Sequence, residues 1–454
     1  MSDYAAQSMG EYNDWGNALW CMAKANGTIL HTPGMGWMVW TGTHWSRDES
    51  AVIRFVTLAL KERATLGVNT QNEQLTKSSF PYSSRIKSAV YLLQSHLNAS
   101  ETEFRQIPYW LNVKNGVVDL KTCELISHHP SQRNTYCIDI EYDPGAESEL
   151  WETMLTQWIG DDVALRQYLH RLWGYTITAE TSEEILIYIY GPSRSGKGTM
   201  LNTIQAILGP TLAASTDMDT FIESKGSRNF ALATLVLSRF VQAQETKTDQ
   251  RLNTALLKSA SAADPRQVER KYHAPYVETP VWKIWLASNF PPKAPPDDAA
   301  FWDSRMRVIS FPNSNLGNED KTLKQRLLSK ENKRGILAWL IRGAMAWYKH
   351  GLGPVPASVS DTTQEMRSLA DSLGRWLSDR CSMDADVTTT LESLNLDYNA
   401  WCEDEGVQIK DRYPKAELHR RLLMRGLYSH RTTVGGRNGS KATIVRGVKL
   451  KSDS

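Results

Sequence analysis

The sequence predicts an α/β core with an N-terminal α+β domain, a helical collar and a C-terminal winged-helix domain. Residues 183–315 alternate short apolar runs with segments of helical periodicity, which is typical of a sheet covered by helices. Within this core, a glycine-rich segment joins a run of β-forming residues to a helical segment. Residues 363–454 contain three amphipathic helical segments and then two strand-like runs around a glycine-rich turn, which is a winged-helix pattern.

Length and composition are those of an ordinary globular protein with several domains. The chain has 454 residues, of which 41% are hydrophobic and 22% are charged. Since domains have about 100–200 residues, two to four units are expected. No apolar run is long enough to cross a bilayer, and the polar N-terminus is not a signal peptide. Five scattered cysteines without a C-x-x-C pair argue against a zinc ribbon or a disulfide framework. We therefore expect a protein of the cytoplasm that has no membrane partner.

The N-terminal residues show two signals for β-hairpins. Trp37, Trp40 and Trp45 lie in an alternating segment that is bounded by turn residues. Farther along, Asn115-Gly116 separates two short apolar runs, which is a hairpin signal of its own. We expect the three tryptophans to pack in a small core rather than to stack on bases.

A glycine-rich segment of the core has the residue types of a phosphate-binding loop. The strand-like run 185–190 leads into G-x-x-x-x-G-K, and apolar residues from Met200 onward recur at helical spacing. Glycines let backbone N–H groups surround phosphate oxygens, and the following helix directs its positive end at the same anion. A lysine at the end of the motif supplies charge for the β- and γ-phosphates. The predicted ATP-binding residues are Gly191, Pro192, Ser193, Arg194, Ser195, Gly196, Lys197, Gly198 and Thr199.

Mg²⁺ is expected to accompany the nucleotide, and two residues are predicted to bind it. Gly198 stands where a serine or threonine hydroxyl usually holds the metal, so Thr199, one residue later, is the substitute. A predicted strand at 239–244 places Glu245 at its tip, where a carboxylate can polarise the attacking water or hold Mg²⁺ through water. The alternative for Glu245 is a surface residue at a strand end.

Polar residues also follow or precede two other strand-like runs of the core. Asn289 follows the run 281–288, where an amide can position water against the γ-phosphate; a turn residue is the alternative. Arg305 and Arg307 precede the apolar run 308–311. An arginine there can stabilise transition-state charge on a neighbouring subunit's γ-phosphate, and the alternative is a salt-bridged surface arginine. The predicted catalytic residues are Lys197, Glu245, Asn289 and Arg305.

Basic residues in two places predict contact with DNA. Arg270, Lys271 and His273 lie between two strand-like runs, and basic residues on a hairpin suit a phosphate backbone. From residue 411 to residue 451 the chain has 11 Lys/Arg against 2 Asp/Glu. In this winged-helix segment the predicted DNA-binding residues are Arg420, Arg421, Arg431, Arg437 and Lys441. A solvated charged face, or a basic surface that docks a protein, is the alternative in each place.

These features divide the chain into successive domains. Pro354 and Pro356, in the segment 351–364, predict a linker before the last domain. The predicted limits are 1–145 for the N-terminal domain, 146–182 for the collar, 183–315 for the ATPase core, 316–362 for closing helices and linker, and 363–454 for the winged-helix domain.

In their order along the chain, these residues resemble the superfamily 3 helicases, in particular the phage/plasmid and poxvirus primase–helicase family. The region before the core is similar to that family in LNVKNGVVDLKTCEL, EYDPGA and YLHRLWGYTIT, and the closing helical segment in GILAWLIRGAMAWYKHGLGPVP. Within the core, the motifs follow the order of the family. The matching positions are Gly191–Thr199, Glu245, Leu256–Asp264, Arg270–His273, Asn289–Pro292 and Arg305.

The resemblance implies an AAA+-like P-loop ATPase that assembles as a ring, usually a hexamer, with ATP bound between subunits. It also implies that single-stranded DNA passes through the pore and that unwinding runs 3′ to 5′. Arg305 would then act on a neighbouring subunit's ATP, with Arg307 as the second choice. Lys271 would be the residue of the pore hairpin, with His273 as the second choice.

The sequence departs from the family pattern at two positions and in its N-terminal part. Many relatives have Ser or Thr where this chain has Gly198, and paired acidic residues where Gln244 precedes a lone Glu245. Many relatives also carry a primase domain, whereas no acidic metal-binding cluster precedes the matching region here. A separate primase or polymerase is therefore an expected partner.

The leading hypothesis is an ATP-dependent replicative helicase of a phage, plasmid or other mobile element, which acts on single- and double-stranded DNA in the host cell cytoplasm. The alternative is a nucleotide-dependent origin-binding initiator or assembly switch without processive unwinding. A small-molecule kinase is a third hypothesis, since G-K-G-T also occurs in nucleotide kinases. The ordered downstream motifs and the basic C-terminal module disfavour it.

Overall fold

A parallel sheet lies between an N-terminal region of helices and small sheets and a C-terminal module of helices and antiparallel strands. The computed structural model describes residues 3–223, 235, 238–244, 251–268, 276–317, 319–434 and 440–451. Within these ranges, no helix is both long enough and apolar enough to cross a membrane.

The N-terminal region begins with five helices and an antiparallel three-stranded sheet. Its first elements are α1 (Asp3–Ser8), α2 (Asp14–Ala25), β1 (Ile29–Thr32), β2 (Gly36–Trp40), β3 (Trp45–Arg47), α3 (Glu49–Asn69), α4 (Glu73–Ser79) and α5 (Ser83–His96). Trp37 and Trp45 are 4% and 0% exposed, so the predicted packing of these aromatic residues in a core is confirmed. The strands form a three-stranded meander, because β2 pairs with both β1 and β3.

A second small sheet and the two collar helices follow. The elements are β4 (Trp110–Val113), β5 (Gly116–Asp119), β6 (Leu125–Ile126), α6 (Glu149–Ile159) and α7 (Val163–Thr176). β4 and β5 pair antiparallel around Asn115-Gly116, so the predicted hairpin is confirmed. Gly160, with a φ of 76°, follows the last residue of α6, and the predicted helical segment is therefore two helices.

The central sheet has five parallel strands in the order β13-β7-β12-β9-β8, which confirms the predicted α/β core. Its elements are β7 (Leu186–Tyr190), α8 (Lys197–Leu212, interrupted at Gly209), β8 (Ala213–Asp217), β9 (Phe240–Gln244), α9 (Thr254–Ser261), β12 (Lys283–Ser288), a π-helix (Ala300–Arg305) and β13 (Met306–Ser310). A two-stranded hairpin, β10 (Arg266–Val268) and β11 (Tyr276–Glu278), lies outside this sheet. Because the strands are parallel, their carboxyl ends share one edge, here called the carboxyl edge.

The two faces of this sheet pack in different cores, as expected of a sheet covered on both sides. Ile187, Ile189 and Trp285 belong to a core that also contains residues of α8 and the collar. Tyr188 and Leu286 alternate with them and belong to the second core, which contains residues of α9. The continuous apolar character of β7 follows from this burial of both faces.

Two buried cations join the sheet to the chain that precedes it. Arg239, 1% exposed, donates from Nη1 to the Ile177 carbonyl at 2.7 Å and from Nε to Gln106 Oε1 at 2.8 Å. Lys283, 2% exposed, donates from Nζ to the carbonyls of Thr178 and Glu180. These bonds fix the amino ends of β9 and β12 against the end of the collar, because a buried charge is costly unless it is hydrogen-bonded.

Three helices follow the sheet, namely α10 (Leu323–Leu327), α11 (Lys330–His350) and α12 (Ala357–Ala370). The prediction of a linker over 351–364 is wrong from Ala357 onward, since α12 begins there, directly after Pro356. A proline next to the first turn of a helix is compatible with the helix, because its missing N–H would have no partner within the helix there. The Val308 N–H donates to Thr363 Oγ1 at 3.1 Å, so α12 also satisfies the outer edge of strand β13.

The C-terminal module contains α13 (Ser372–Arg380), β14 (Cys381–Thr390), α14 (Leu391–Asp404), α15 (Lys415–Met424), β15 (Tyr428–Val434) and β16 (Ser440–Leu450). The two predicted C-terminal strands pair antiparallel. The first of the three helical segments predicted in this part of the chain is divided at Asp371, where α12 ends and α13 begins. β14, which the sequence did not predict, pairs with β16 and completes a three-stranded sheet.

The α7–α11 crossing offers a test of the packing. A Cβ atom on Gly174 would lie 2.0 Å from the carbonyl carbon of Gly343, so Gly174→Ala forces the two backbones apart. Overpacking of this kind costs about 1–3 kcal/mol or more, which exceeds the ~1 kcal/mol that alanine gains in a helix. We expect a thermal midpoint several degrees lower by calorimetry. Gly145→Ala is the matched control, since its Cβ would meet nothing closer than 3.6 Å; equal midpoints for the two variants would contradict the close crossing.

Candidate functional site

The loop between β7 and α8 is pressed against two neighbouring segments. A Cβ atom on Gly191 would lie 2.1 Å from the Phe311 carbonyl oxygen, and one on Gly196 would lie 2.1 Å from Trp158 Nε1. Gly196 also has a φ of 95°, a conformation that strains any other residue. The glycines of the predicted motif are therefore required by the contacts of the loop as well as by its turn.

Residues after β13 cover the outside of the loop. Ser314 Oγ donates to the Ser193 carbonyl at 2.8 Å, and the Asn315 N–H donates to the Arg194 carbonyl at 3.1 Å. Gln157 of the collar donates to Asn315 Oδ1 at 2.9 Å. The loop is thus held in shape by both the collar and the segment after the last strand.

The Lys197 ammonium lies inside this loop and is bonded to neutral oxygens. Its Nζ donates to the Gly191 and Pro192 carbonyls at 2.8 Å, to Ser195 Oγ at 3.1 Å and to Asn289 Oδ1 at 2.8 Å. Lys197 is 8% exposed, and burial lowers its pKa to about 8. A partly desolvated ammonium surrounded by dipoles is well suited to receive an anion.

Sheet topology explains why Lys197 meets Asn289. β12 is hydrogen-bonded to β7 with Ser288 opposite Tyr190, so both strands end at the same level of the carboxyl edge. Asn289 is the first residue after β12, and Lys197 follows the loop that leaves β7. The structure thus brings together two of the residues that the sequence predicts to be catalytic.

Gln244 ends β9 beside β12, also at the carboxyl edge, in register with Ala287 and with Asp217 of β8. Glu245, predicted to act in catalysis and metal binding, comes next and lies outside the described residues. Sequence analysis did not single out Asp217, which is exposed at the end of β8. The only signal for it was an acidic residue at the end of a weakly apolar strand.

The two departures from the family pattern lie side by side. A Cβ atom on Gly198 would be 2.9 Å from Gln244 Oε1. Gln244 Nε2 donates to Gln242 Oε1 at 2.9 Å and to Asn202 Oδ1 at 3.3 Å. Thr199, predicted to bind the metal, is half-buried on α8, about 100° around the helix from Gly198.

Metal ligands of the usual residue types are sparse. Among the described residues, no group of three or more His, Cys, Asp or Glu side chains is placed to hold a metal ion.

Arg305 lies far from the loop of its own chain. It ends the π-helix immediately before β13, at the amino end of the sheet, and its Nη2 donates to Glu184 Oε2 at 2.9 Å. Arg307, the second choice, bonds to nearby carbonyls, including that of Met306 at 2.8 Å. The structure therefore does not bring either arginine to Lys197 within one chain.

The predicted pore residues Arg270, Lys271 and His273 lie outside the described residues. The strands on either side of them are described and pair antiparallel, with Val268 opposite Tyr276. The two predicted flanking strands are thus confirmed, whereas the positions of the basic residues between them stay a prediction.

The predicted DNA-binding residues of the C-terminal module differ in their surroundings. Arg421 is 14% exposed, and it pairs with Glu417 at 2.7 Å and with Asp297 of the segment after β12. Arg420 is exposed and pairs with Glu417 at 2.6 Å. Arg421 therefore joins the module to the core in this structure.

The remaining residues of this set lie on the two C-terminal strands. Arg431 of β15 and Lys441 of β16 are both exposed, and the strands that carry them are paired. Arg437 lies outside the described residues. The exposed face of these strands is the part of the module that is free to meet phosphates in the described structure.

Comparisons with known families match two parts of the chain. Residues 18–160 match the family model described as D5 N terminal like. Residues 189–305 match a family of unknown function, DUF5906, which spans the loop, Asn289 and Arg305. No curated protein matches the sequence.

Solved structures of the C-terminal region of NrS-1 show a weak likeness. The apo structure of that region has a TM-score of 0.41 at 13% identity, covering 68% of this chain and 78% of that one. Its A form apo structure has a TM-score of 0.40 at 13% identity, covering 69% and 80%. No conclusion about this chain follows from a likeness at this level.

Proposed function

We propose that the chain is an ATP-dependent replicative DNA helicase of a phage, plasmid or other mobile element. The observation that carries the proposal is the bond between Lys197 and Asn289 at the carboxyl edge, below a glycine loop that joins a strand to a helix. This arrangement has the parts of a nucleotide-hydrolysing site. The D5 N terminal like match ahead of it, over residues 18–160, supports placing the site in a replication protein.

The residues present fit a nucleoside triphosphate. α8 begins at Lys197 without a side-chain cap, so its first N–H groups are available to phosphate oxygens. Gly191 and Gly196 let the loop backbone pack against Phe311 and Trp158, which would hold the loop in one shape around the phosphates. Lys197 would bind the β- and γ-phosphate oxygens, and Asn289 would orient the attacking water. Mg²⁺ would neutralise developing charge, with Thr199 and Glu245 as the residues expected from the sequence to hold it.

The position of Arg305 supports a ring in which each ATP site is formed by two neighbouring subunits. β13 is a strand of five residues, so Arg305 lies about 16 Å from the carboxyl edge along the strand direction. An arginine that cannot reach its own loop is placed to reach a neighbour's loop in a head-to-tail ring, as in a hexamer. In such a ring, the Arg305–Glu184 bond of the free chain would be exchanged for a bond to phosphate.

DNA would meet the ring in two places. Arg270, Lys271 and His273 would contact single-stranded DNA in the pore, and Arg420, Arg431, Arg437 and Lys441 would contact duplex phosphates from a winged-helix module. Arg421 would contact DNA only if the C-terminal module moved away from the core and the Arg421–Asp297 ion pair broke. A separate primase or polymerase would be a partner of the ring.

One observation favours a second function, an origin-binding initiator or assembly switch. Gly198 and Gln244 are neutral and lack the hydroxyl and carboxylate that usually support rapid hydrolysis. Multiple-turnover hydrolysis together with strand displacement on a forked substrate would establish the helicase, whereas nucleotide-dependent assembly without displacement would establish the switch.

Lys197→Ala tests the nucleotide site. Because the ammonium is buried among the loop carbonyls and bonded to Asn289, its loss should reduce DNA-stimulated ATP hydrolysis by about 100-fold or more. Circular dichroism should be unchanged. Lys87→Ala, at an exposed lysine of α5, is the control. Hydrolysis retained in the Lys197 variant would refute the assignment of this site.

The pKa of Lys197 predicts a pH profile for nucleotide binding. In the free chain, burial holds this pKa at about 8, and bound phosphate raises it. Affinity should therefore be full below pH 8 and fall as the pH rises through 8, by up to about tenfold per pH unit. Dissociation constants of a fluorescent ADP from pH 7.5 to 9.5 measure this. Lys197→Arg stays charged and should give a flat profile; an equally flat profile for the unmodified protein would contradict the prediction.

Mixing two inactive variants tests sharing of the site. Arg305→Ala should bind nucleotide but hydrolyse it poorly, and Glu245→Gln should do the same. In randomly mixed rings at equal amounts, about a quarter of the interfaces combine an intact loop with an intact arginine. Hydrolysis should recover up to that fraction of the unmodified rate, and no recovery at any ratio would argue against action between subunits.

A further inference from the structure

We propose that Gln244 Oε1 is the oxygen of this chain that binds the divalent cation, in place of a hydroxyl at position 198. The proposal rests on the proposed function of the loop as a nucleotide site. It differs from the expectation drawn from the sequence, in which Thr199 supplies the missing oxygen. Three features of the structure carry it.

The first feature is the helix face that meets β9. Gly198, Asn202 and Gln205 are spaced by four and three residues, so they lie on one face of α8. Gln242 Nε2 donates to Asn202 Oδ1 at 3.0 Å and also to Gln205, which fixes this face against β9. Position 198 is therefore the helix position nearest to the tip of β9, where Gln244 lies.

The second feature is the space that Gly198 leaves. A Cβ atom there would lie 2.9 Å from Gln244 Oε1 but 3.8 Å from Nε2. The glutamine carbonyl oxygen thus lies next to the site from which a serine or threonine side chain would extend. Glycine at position 198 therefore leaves room for the Gln244 oxygen at the place where a hydroxyl would otherwise lie.

The third feature is the orientation of the Gln244 amide. Its Nε2 donates to two acceptors in the amide cluster, Gln242 Oε1 and Asn202 Oδ1. Both acceptors are amide oxygens, so in this hydrogen-bond arrangement Oε1 is the end of the Gln244 amide that faces Gly198. No described residue donates a hydrogen bond to Gln244 Oε1, and the residue is exposed at the carboxyl edge. An amide carbonyl oxygen is a suitable ligand for a hard divalent cation.

Thr199 is less well placed than Gln244. Consecutive helical residues are rotated by about 100°, so position 199 is turned away from the face that meets β9. It lies instead above Thr203, whose hydroxyl donates to the Thr199 carbonyl at 2.8 Å and which is 3% exposed. Asp217, in register with Gln244 on the next strand, offers a carboxylate on the same side of the sheet.

The test compares nucleotide binding with and without metal. Fluorescent ADP is titrated onto the full chain in EDTA and then at increasing Mg²⁺. Gln244→Leu should raise the Mg²⁺ concentration for half-maximal enhancement of affinity by about tenfold or more, while affinity in EDTA stays within twofold of the unmodified value. Gln205→Leu, which removes an amide of the same cluster away from Gly198, is the matched control and should titrate normally.

A double variant moves the oxygen back to the helix. Gln244→Ala combined with Gly198→Ser should bind Mg²⁺ nearly as the unmodified protein does, because the hydroxyl then has both room and position. Gln244→Ala alone should not. Normal Mg²⁺ titration of Gln244→Leu, or a tenfold shift caused by Thr199→Ala in its place, would overturn the proposal. Absence of ADP binding by the unmodified chain in EDTA and in Mg²⁺ would instead refute the nucleotide site itself.

Discussion

The rest of the structure depends on two positive charges buried at the amino end of the central sheet. Arg239 and Lys283 begin or precede neighbouring strands, and each donates to backbone carbonyls at the end of the collar. An unsatisfied charge at this depth would cost several kcal/mol, so the strands are held where the carbonyls are. Two strands of the sheet are thereby joined to the collar at their amino ends. Lys197 and Asn289 lie at the opposite edge, where the parallel strands end together.

The site at that opposite edge is assembled by strand order more than by any single motif. β7 lies between β13 and β12, so the loop after β7 is flanked by Asn289 on one side and by Phe311 on the other. The Lys197 ammonium donates to four oxygens, all of them neutral. Because β13 is parallel to β7, Arg305 lies at the amino end of the sheet. Within one chain, Arg305 and the loop therefore lie at opposite ends of the sheet.

Local patterns explain what could be predicted from the sequence. β7, α8, β9 and β12 were predictable because apolar runs and helical spacing are local properties, and Asn289 followed from the strand that it ends. α12 was missed because Pro356 reads equally well as part of a linker and as the residue before a helix. The contact between Gly198 and Gln244 was not predictable, since it depends on how a helix and a strand meet. The sequence shows Gly198 and Gln244 as two separate departures from a pattern, whereas in the structure they lie next to each other.

The floor of the loop belongs to another part of the chain. Trp158, on the first collar helix α6, lies against Gly196 and stacks on Phe311 with ring centroids 6.3 Å apart. Trp158 also contacts Trp151, which in turn contacts Trp339 of α11. These rings form a continuous series of contacts from the loop to α11. The shape of the loop is therefore tied, through packed aromatic side chains, to a helix that follows it by more than a hundred residues in the sequence.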